Sequence, residues 1–363
     1  RLAKHLALRD EAALLADLGA LADPPDVVAT TLRYHHLTRS IRAFVPLDAL
    51  QTALPAGLVD ALLRSRPIGR APINALVAAF DEAQEALAAA RVPVLLFKGF
   101  YLAERLYGGV DHRPQSDVDL LVHRGDFRRA GRVLRRLGYR VARGDIHSKD
   151  LVRGTIKLDL HRFLRWAPAL HVDEEALWTS AIETAAAGVT FRTLSDEYTL
   201  VALALAAFEN LGQGMERLKQ LFDLWLLMRA LDATFDWEGF LRRREPENLL
   251  AIVVNVFAFV VDVFDARGEL PRLAQSLAAR RELVAIDDRA TALALLAAPR
   301  KDRDNLLWFG RVYPGSMTLY LAWFWYGGFP ANLGRLGPSW LLSHLQLGRD
   351  LRGTRRRGMR ARR

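Results

Sequence analysis

The sequence predicts an α+β protein in which a short α/β core is set between an N-terminal and a C-terminal helical region. Three observations predict it. Residues 1–90, and the chain from 194 onward, carry apolar side chains at three- and four-residue spacing among alanine, leucine and glutamate, the period of a helix. Between them lie short apolar runs of strand length. Those runs alternate with helical segments closed by glycine, the order that builds a sheet with covering helices.

Each element follows in turn. "EAALLADLGALA" and "INALVAAFDEAQEALAAAR" read as helices, punctuated by Pro24-Pro25, Pro55 and Pro67. "VPVLLF" (92–97) is continuously apolar and β-branched at its start, which suits a buried strand. "GFYLAERLYGG" (99–109) returns to helix and stops at Gly108-Gly109. "DVDLLV" (117–122) is the next strand, and "RGDFRRAGRVLRRLG" (124–138) is an amphipathic helix closed by Gly138. "YRVA" (139–142) and "TIKLDLHRFL" (155–164) read as further strands. Ser195 and Asp196 suit a helix start, and the helical segments "LKQLFDLWLLMRAL" and "NLLAIVVNVFAFVVDVFDA" follow. The expected boundaries are a helical region at 1–90, a core at 91–190, a helical domain at 191–348 and a basic disordered tail at 349–363. No internal repeat is present, and no low-complexity segment outside the tail.

Composition bounds the function classes. Hydrophobic residues make up 51% and charged residues 25% of the 363, a globular composition. There is no cysteine, so disulfide frameworks and thiolate metal sites are excluded, and a cytoplasmic location is the expectation. No signal peptide is visible. The net charge of +10 is concentrated in "RDLRGTRRRGMRARR" (349–363), whose eight arginines and one aspartate leave +3 for the preceding residues. A nucleic-acid contact is therefore expected only through this tail. The apolar run at 248–266 is interrupted by Asn255 and Asp262 and falls short of the ~20 clean residues of a membrane span, so a buried core helix is expected and no transmembrane segment. "MTLYLAWFWYGGFP" (317–330) is too short to span and suits either a core or an interfacial patch.

The chemistry concentrates in "RPQSDVDLLV" (113–122), where Asp117 and Asp119 share one face of a strand that otherwise favours burial. Unpaired buried charges are costly, and two like charges together more so, unless a cation lies between them. Magnesium takes hard oxygen ligands, one or two carboxylates and substrate phosphates, so an Asp-x-Asp strand suits phosphoryl or nucleotidyl transfer. Asp159 in "KLDLH" supplies a third carboxylate if its strand lies beside the first. Lys98-Gly99, at a strand-to-helix junction, offers backbone N–H groups, a helix dipole and close approach to an anion. Arg113 and Ser116 stand just ahead of the aspartates, within reach of a triphosphate.

Taken together, "LLFKG", "LAERLYG", "RPQSDVDLLV" and "KLDLH" resemble the uncharacterised nucleotidyltransferase family of the DNA polymerase β-like superfamily. The resemblance is close over about 85–165 and looser over the flanking helices, where "LKQLFDL" (218–224) fits the family's C-terminal helical part. It implies a small mixed sheet that binds a nucleoside triphosphate, ATP foremost, with Asp117, Asp119 and Asp159 holding Mg²⁺ or Mn²⁺. Asp159 would position or activate the acceptor hydroxyl, and attack on the α-phosphate would release pyrophosphate. Where the superfamily has Gly-Ser or Gly-Gly after the first strand, this chain has Gly99-Phe100, so backbone, Lys98 or Ser116 must make that phosphate contact. The acceptor would be a small molecule, a peptide or a protein, and bacterial biosynthetic tailoring is the setting the resemblance implies.

Other residues carry weaker signals. His161 shares a face with Asp159 and is expected to touch nucleotide or acceptor, or to make a structural hydrogen bond. His147 lies in a polar loop, and His35-His36 has no partner at metal-ligand spacing. Lys219 and Asp223, four apart, read first as a helix-surface pair and second as groups closing the nucleotide cleft. Two alternatives to nucleotidyl transfer stay open: kinase-type phosphoryl transfer at the same site, and a nucleotide-binding protein without turnover.

Overall fold

In a computed structural model of the chain, the structure describes residues 5–6, 10–34, 37–64, 72–144, 148–164, 170–212 and 218–297. The chain divides into two compact units. One takes in the residues up to 166 with 172–203 and 217–236, and the other 167–171, 204–216 and the chain from 237 onward.

Among the described residues the first unit includes the helices α1 (Glu11–Gly19), α2 (Pro25–Tyr34), α3 (Thr38–Phe44), α4 (Leu47–Ala53), α5 (Ala56–Arg64) and α6 (Ile73–Ala89). β1 (Val94–Phe97) then leads into α7 (Gly99–Tyr107), which ends as expected on Gly108, left-handed at φ 73°. β2 (Val118–Val122), α8 (Phe127–Arg136), β3 (Arg140–Gly144), β4 (Ser148–Arg153), β5 (Ile156–His161), α9 (Glu174–Thr179), β6 (Ile182–Ala186) and β7 (Val189–Thr193) follow. α10 (Asp196–Gly212) starts from Ser195, whose carbonyl accepts from the Thr199 N–H; its residues to Leu203 belong to this unit, as does α11 (Leu218–Leu231).

The seven strands form one mixed sheet in the order β3-β4-β5-β2-β1-β7-β6. β2 runs parallel to β5 and antiparallel to β1, so the two aspartate-bearing strands are neighbours at the centre. Three strands beyond those expected, β4, β6 and β7, widen the sheet. Their sequences "SKDLVR", "IETAA" and "VTFRT" are polar and half-exposed, and only pairing to better-marked neighbours makes them strands.

In the second unit lie α12 (Trp237–Arg244), α13 (Leu250–Phe264), α14 (Pro271–Ala278), a 3₁₀ turn (Arg281–Leu283) and α15 (Arg289–Ala297). Every residue of α13 from Ile252 to Phe264 is buried, as a core helix requires. Its polar interruption is accounted for: Asn255 donates to the carbonyls of Ala251 (2.8 Å) and Leu283 (2.7 Å) and accepts from the Ala285 N–H (2.7 Å). Among the described residues no helix is long and apolar enough to cross a membrane. The aromatic run at 317–330 and the arginine tail lie outside the described residues.

Candidate active site

The register of three strands builds the site. β2 on β5 sets Asp119 opposite Asp159, and β4 on β5 sets Asp150 opposite the same Asp159. On the other side Phe97 of β1 faces Asp119. Opposed residues in a sheet share a face, so Asp150, Asp159 and Asp119 form a row of three carboxylates, an arrangement that like-charge repulsion disfavours.

Three cations offset it. Lys157, two residues before Asp159 on β5, lies 3.2 Å from Asp117 Oδ2 and 3.2 Å from Asp150 Oδ1. Lys98 Nζ is 3.5 Å from Asp119 Oδ1. His161 Nε2 is 3.1 Å from Asp159 Oδ2 and 3.4 Å from Asp119 Oδ1, with its ring edge-on to Phe97 at 5.1 Å.

These contacts sort the acids. Burial pushes Asp119 and Asp159 up, but Lys98 and His161 outweigh it at Asp119, and His161 and Lys157 at Asp159; both carboxyls end below their usual range. Asp117 goes the other way, raised by burial and by the charge of Asp119 against the pull of Lys157. Burial lowers His161, but its bonds to Asp119 and Asp159 prevail and raise it above an ordinary imidazole. The acids are thus tied together by Lys98, Lys157 and His161.

A divalent cation suits this donor set. Ligand atoms of Asp119, Asp159 and His161 lie within 4.8 Å of one another. Asp159 Oδ1 is buried and has no hydrogen-bond partner among the described residues, a costly state for a charged oxygen that a metal would relieve. Of the three acids expected to hold the metal, Asp119 and Asp159 come together here, while Asp117 is engaged by Lys157.

The residues expected on the phosphate side stand at the start of α7. Lys98 has φ 59° and ψ −119°, a strained conformation for a non-glycine residue, and Gly99 follows at φ 22°. A Cβ at Gly99 would meet Gln115 Oε1 at 3.2 Å. Lys98 makes no side-chain cap hydrogen bond to the first turn of α7. Ser116 Oγ donates to Asp117 Oδ1 at 3.4 Å, which places it beside the acid strand.

Arg113, expected within reach of a triphosphate, has partners within the protein. It is buried, and its guanidinium is committed to Asp223 through Nε (2.9 Å) and Nη2 (2.7 Å), with Nη1 3.5 Å from the Gly99 carbonyl. It therefore links the Gly99 carbonyl to Asp223. Asp223 also accepts from the Tyr107 hydroxyl (2.6 Å) and from Lys219 (3.4 Å). The Lys219–Asp223 pair is thus no surface pair: Asp223 is completely buried. Burial, reinforced by the Arg113 charge, pulls Lys219 down to about 8 against the attraction of Asp223, and the charge of Asp117 also reaches it.

Lys157 and Asp150 belong to the site although sequence reasoning passed over them. Lys157 had a signal, since it precedes Asp159 by two in an alternating strand. Asp150, in "SKD", had none. His147 and His35-His36 lie outside the described residues.

The profile of a family described as uncharacterised nucleotidyltransferase matches residues 23–265. Among solved structures, that of the antibiotic-resistance factor ANT(2'')-Ia is similar at 21% identity, over 48% of this chain and 92% of that one, with a TM-score of 0.38. None of the curated proteins compared with the chain matches it.

Proposed function

The chain belongs to the uncharacterised nucleotidyltransferase family, and from that premise we propose that it moves a nucleoside monophosphate from a nucleoside triphosphate, ATP foremost, to an acceptor hydroxyl. The acceptor class is a small molecule, a peptide or a protein. Asp119 and Asp159 would hold Mg²⁺, or Mn²⁺ in its place, and Asp117 would join them on turning from Lys157. The observation that carries this reading is the in-register pair Asp119–Asp159 with its orphaned oxygen, next to the strained turn that starts α7.

When bound, the cation neutralises triphosphate charge and polarises the phosphorus–oxygen bond under attack. The chain's own residues do the rest. First-turn N–H groups of α7 bind phosphate oxygens, and Gly99 permits their close approach. Lys98 and Arg113 add positive charge there, and Lys219, held on Asp223, adds to it. Ser116 offers a hydroxyl donor beside Asp117. Asp159 accepts a hydrogen bond from the acceptor hydroxyl at its carboxylate and aims that oxygen. Kept ionised by His161, it is a weak base, so orientation precedes proton acceptance. His161 keeps both carboxylates in place from beneath.

The test incubates the protein with Mg²⁺ and each labelled nucleoside triphosphate, scoring pyrophosphate against diphosphate release before the labelled acceptor is identified. Pyrophosphate release that disappears in Asp119→Asn and Asp159→Asn is the expected result. Diphosphate release would move the reaction to phosphoryl transfer, and intact turnover in both variants would remove the metal-site mechanism.

A further inference from the structure

The arginine tail does not hold all of the excess charge. Residues 124–143, "RGDFRRAGRVLRRLGYRVAR", contain eight arginines and one aspartate, a local +7. With the tail's own +7 set aside, the remaining residues sum to −4. The fold spreads this segment over one surface. α8 buries Phe127, Ala130, Gly131 and Leu134 and leaves Arg128, Arg129, Arg132, Arg135 and Arg136 exposed. β3, the edge strand that follows, is exposed throughout and adds Arg140 and Arg143.

This surface is separate from the acid row. Leu160 alternates with Asp159 and His161 along β5, so it points to the other face of the sheet. A Cβ on Gly131 of α8 would lie 4.0 Å from the Leu160 side chain, which sets α8 on that opposite face. The arginines therefore do not serve as counter-charges to the catalytic acids. Nor do they neutralise local acids: Arg128, Arg129, Arg132, Arg136, Arg140 and Arg143 form no ion pair with any described residue. Charging a sheet edge to prevent strand addition accounts for Arg140 and Arg143. It does not account for the five arginines of α8, which is no edge.

We propose that α8 and β3 form a docking surface for the phosphate backbone of double-helical RNA. Guanidinium forks match phosphate oxygens, and the segment uses arginine without a single lysine. Arg128, Arg132 and Arg136 recur about once per helical turn, about 6 Å apart, and so present a row of charges along about 12 Å of helix. The residue types absent decide among polyanions. No Asn, Gln, Ser, Thr or Glu occurs in 124–143, so of the side chains that read DNA bases only arginine and Asp126 are present. A surface built almost wholly of arginine suits backbone contact, and duplex RNA is the polyanion recognised by shape and backbone. Val141 is the one exposed large apolar residue in the segment. Protein partners and membranes both require more apolar anchoring than that.

The test is binding of the full chain to a 20-base-pair RNA duplex and its DNA counterpart, by fluorescence anisotropy between about 50 and 200 mM salt. The variants are R128E/R132E/R136E on α8 and R355A/R356A/R357A in the tail. The α8 variant is expected to bind RNA on the order of 10- to 100-fold more weakly, with a salt slope shallower by about 2–3. Its metal-dependent nucleotide turnover should be unchanged. Wild-type binding that the α8 substitutions leave intact, or a loss confined to the tail variant, would overturn the proposal. So would equal affinity for the DNA duplex, or equal competition by polyglutamate, which would point to DNA and to an acidic protein respectively.

Discussion

Asp223 and Asp159 are buried carboxylates of the same unit, and the protein treats them in opposite ways. Asp223 is surrounded: Arg113 donates twice, Tyr107 once, and Lys219 closes the set at 3.4 Å. Asp159 is held on one oxygen by His161, while its other oxygen has no hydrogen-bond partner among the described residues. A charge that serves the fold is satisfied by the fold, because an uncompensated buried ion costs several kcal/mol. A charge kept partly unsatisfied, between strands rigid enough to hold it there, is available to a ligand. Burial alone does not separate the two roles. Neither does an open oxygen alone, since Asp262 Oδ2 is likewise buried without a hydrogen-bond partner among the described residues. What distinguishes Asp159 is an open oxygen on a carboxylate that stands with Asp119 and His161, close enough for one cation.

Substitution can break that contrast. Asp119→Asn or Asp159→Asn should lower nucleotide turnover by about 10³-fold or more, the several kcal/mol a catalytic cation supplies. The fold should persist in the circular dichroism melt, while the thermal shift that Mg²⁺ gives the wild type should vanish. A large fall in melting temperature without metal would instead make Asp159 a structural acid like Asp223. In the reverse direction, Asp223→Ala should destabilise by about 3–5 kcal/mol in urea unfolding, since it strands Arg113 in the interior. A stable Asp223→Ala protein with lost activity would collapse the distinction.

Two smaller effects sharpen it. Lys157→Met removes a cation competing for Asp117 and Asp150, so Mn²⁺ should bind tighter by a factor of about 3–10, read by calorimetry. Weaker binding would mean that Lys157 positions the acids more than it competes. The smallest effect concerns Lys219, which burial and Arg113 pull down to about 8 from an unfolded value near 10.4. Between those values the unfolded chain holds the extra proton, so stability rises with pH; below about 8 both states are protonated and the cost is fully present. Within its cluster Asp223 is held low, and Tyr107 and Arg113 high, so Lys219 is the member that titrates in this window. Lys219→Met should therefore melt higher at pH 7 and lack the gain between pH 8 and 10. An unchanged pH profile would show that Lys219 keeps an ordinary proton affinity.

How far the site could be read varied with the range of the interaction involved. β1, β2 and β5 were legible from short apolar runs, α7 from its glycine stop, and α11 and α13 from their apolar spacing. Asp119 and Asp159 were legible as acids in strands that otherwise favour burial. The bond from Arg113 to Asp223 was not legible because its partner lies 110 residues away on α11, and nothing local to "RPQSD" signals it. β4 was missed because "SKDLVR" is strand only through its pairing with β3 and β5, and Asp150 was missed with it. The arginines of 124–143 were legible as a helix but not as a surface, because the tail drew the charge count to itself.

By itself the sequence determined the periodicities, the turns and the kinds of chemistry available, since propensity, glycine conformation and side-chain type act within a few residues. Tertiary structure decided which charges meet. Strand register set Asp119 opposite Asp159, and Lys157 across Asp117 and Asp150, while packing of α11 turned an apparent surface pair into a buried anchor for Arg113. Coulomb energies depend on separation and burial, and both are properties of the folded chain.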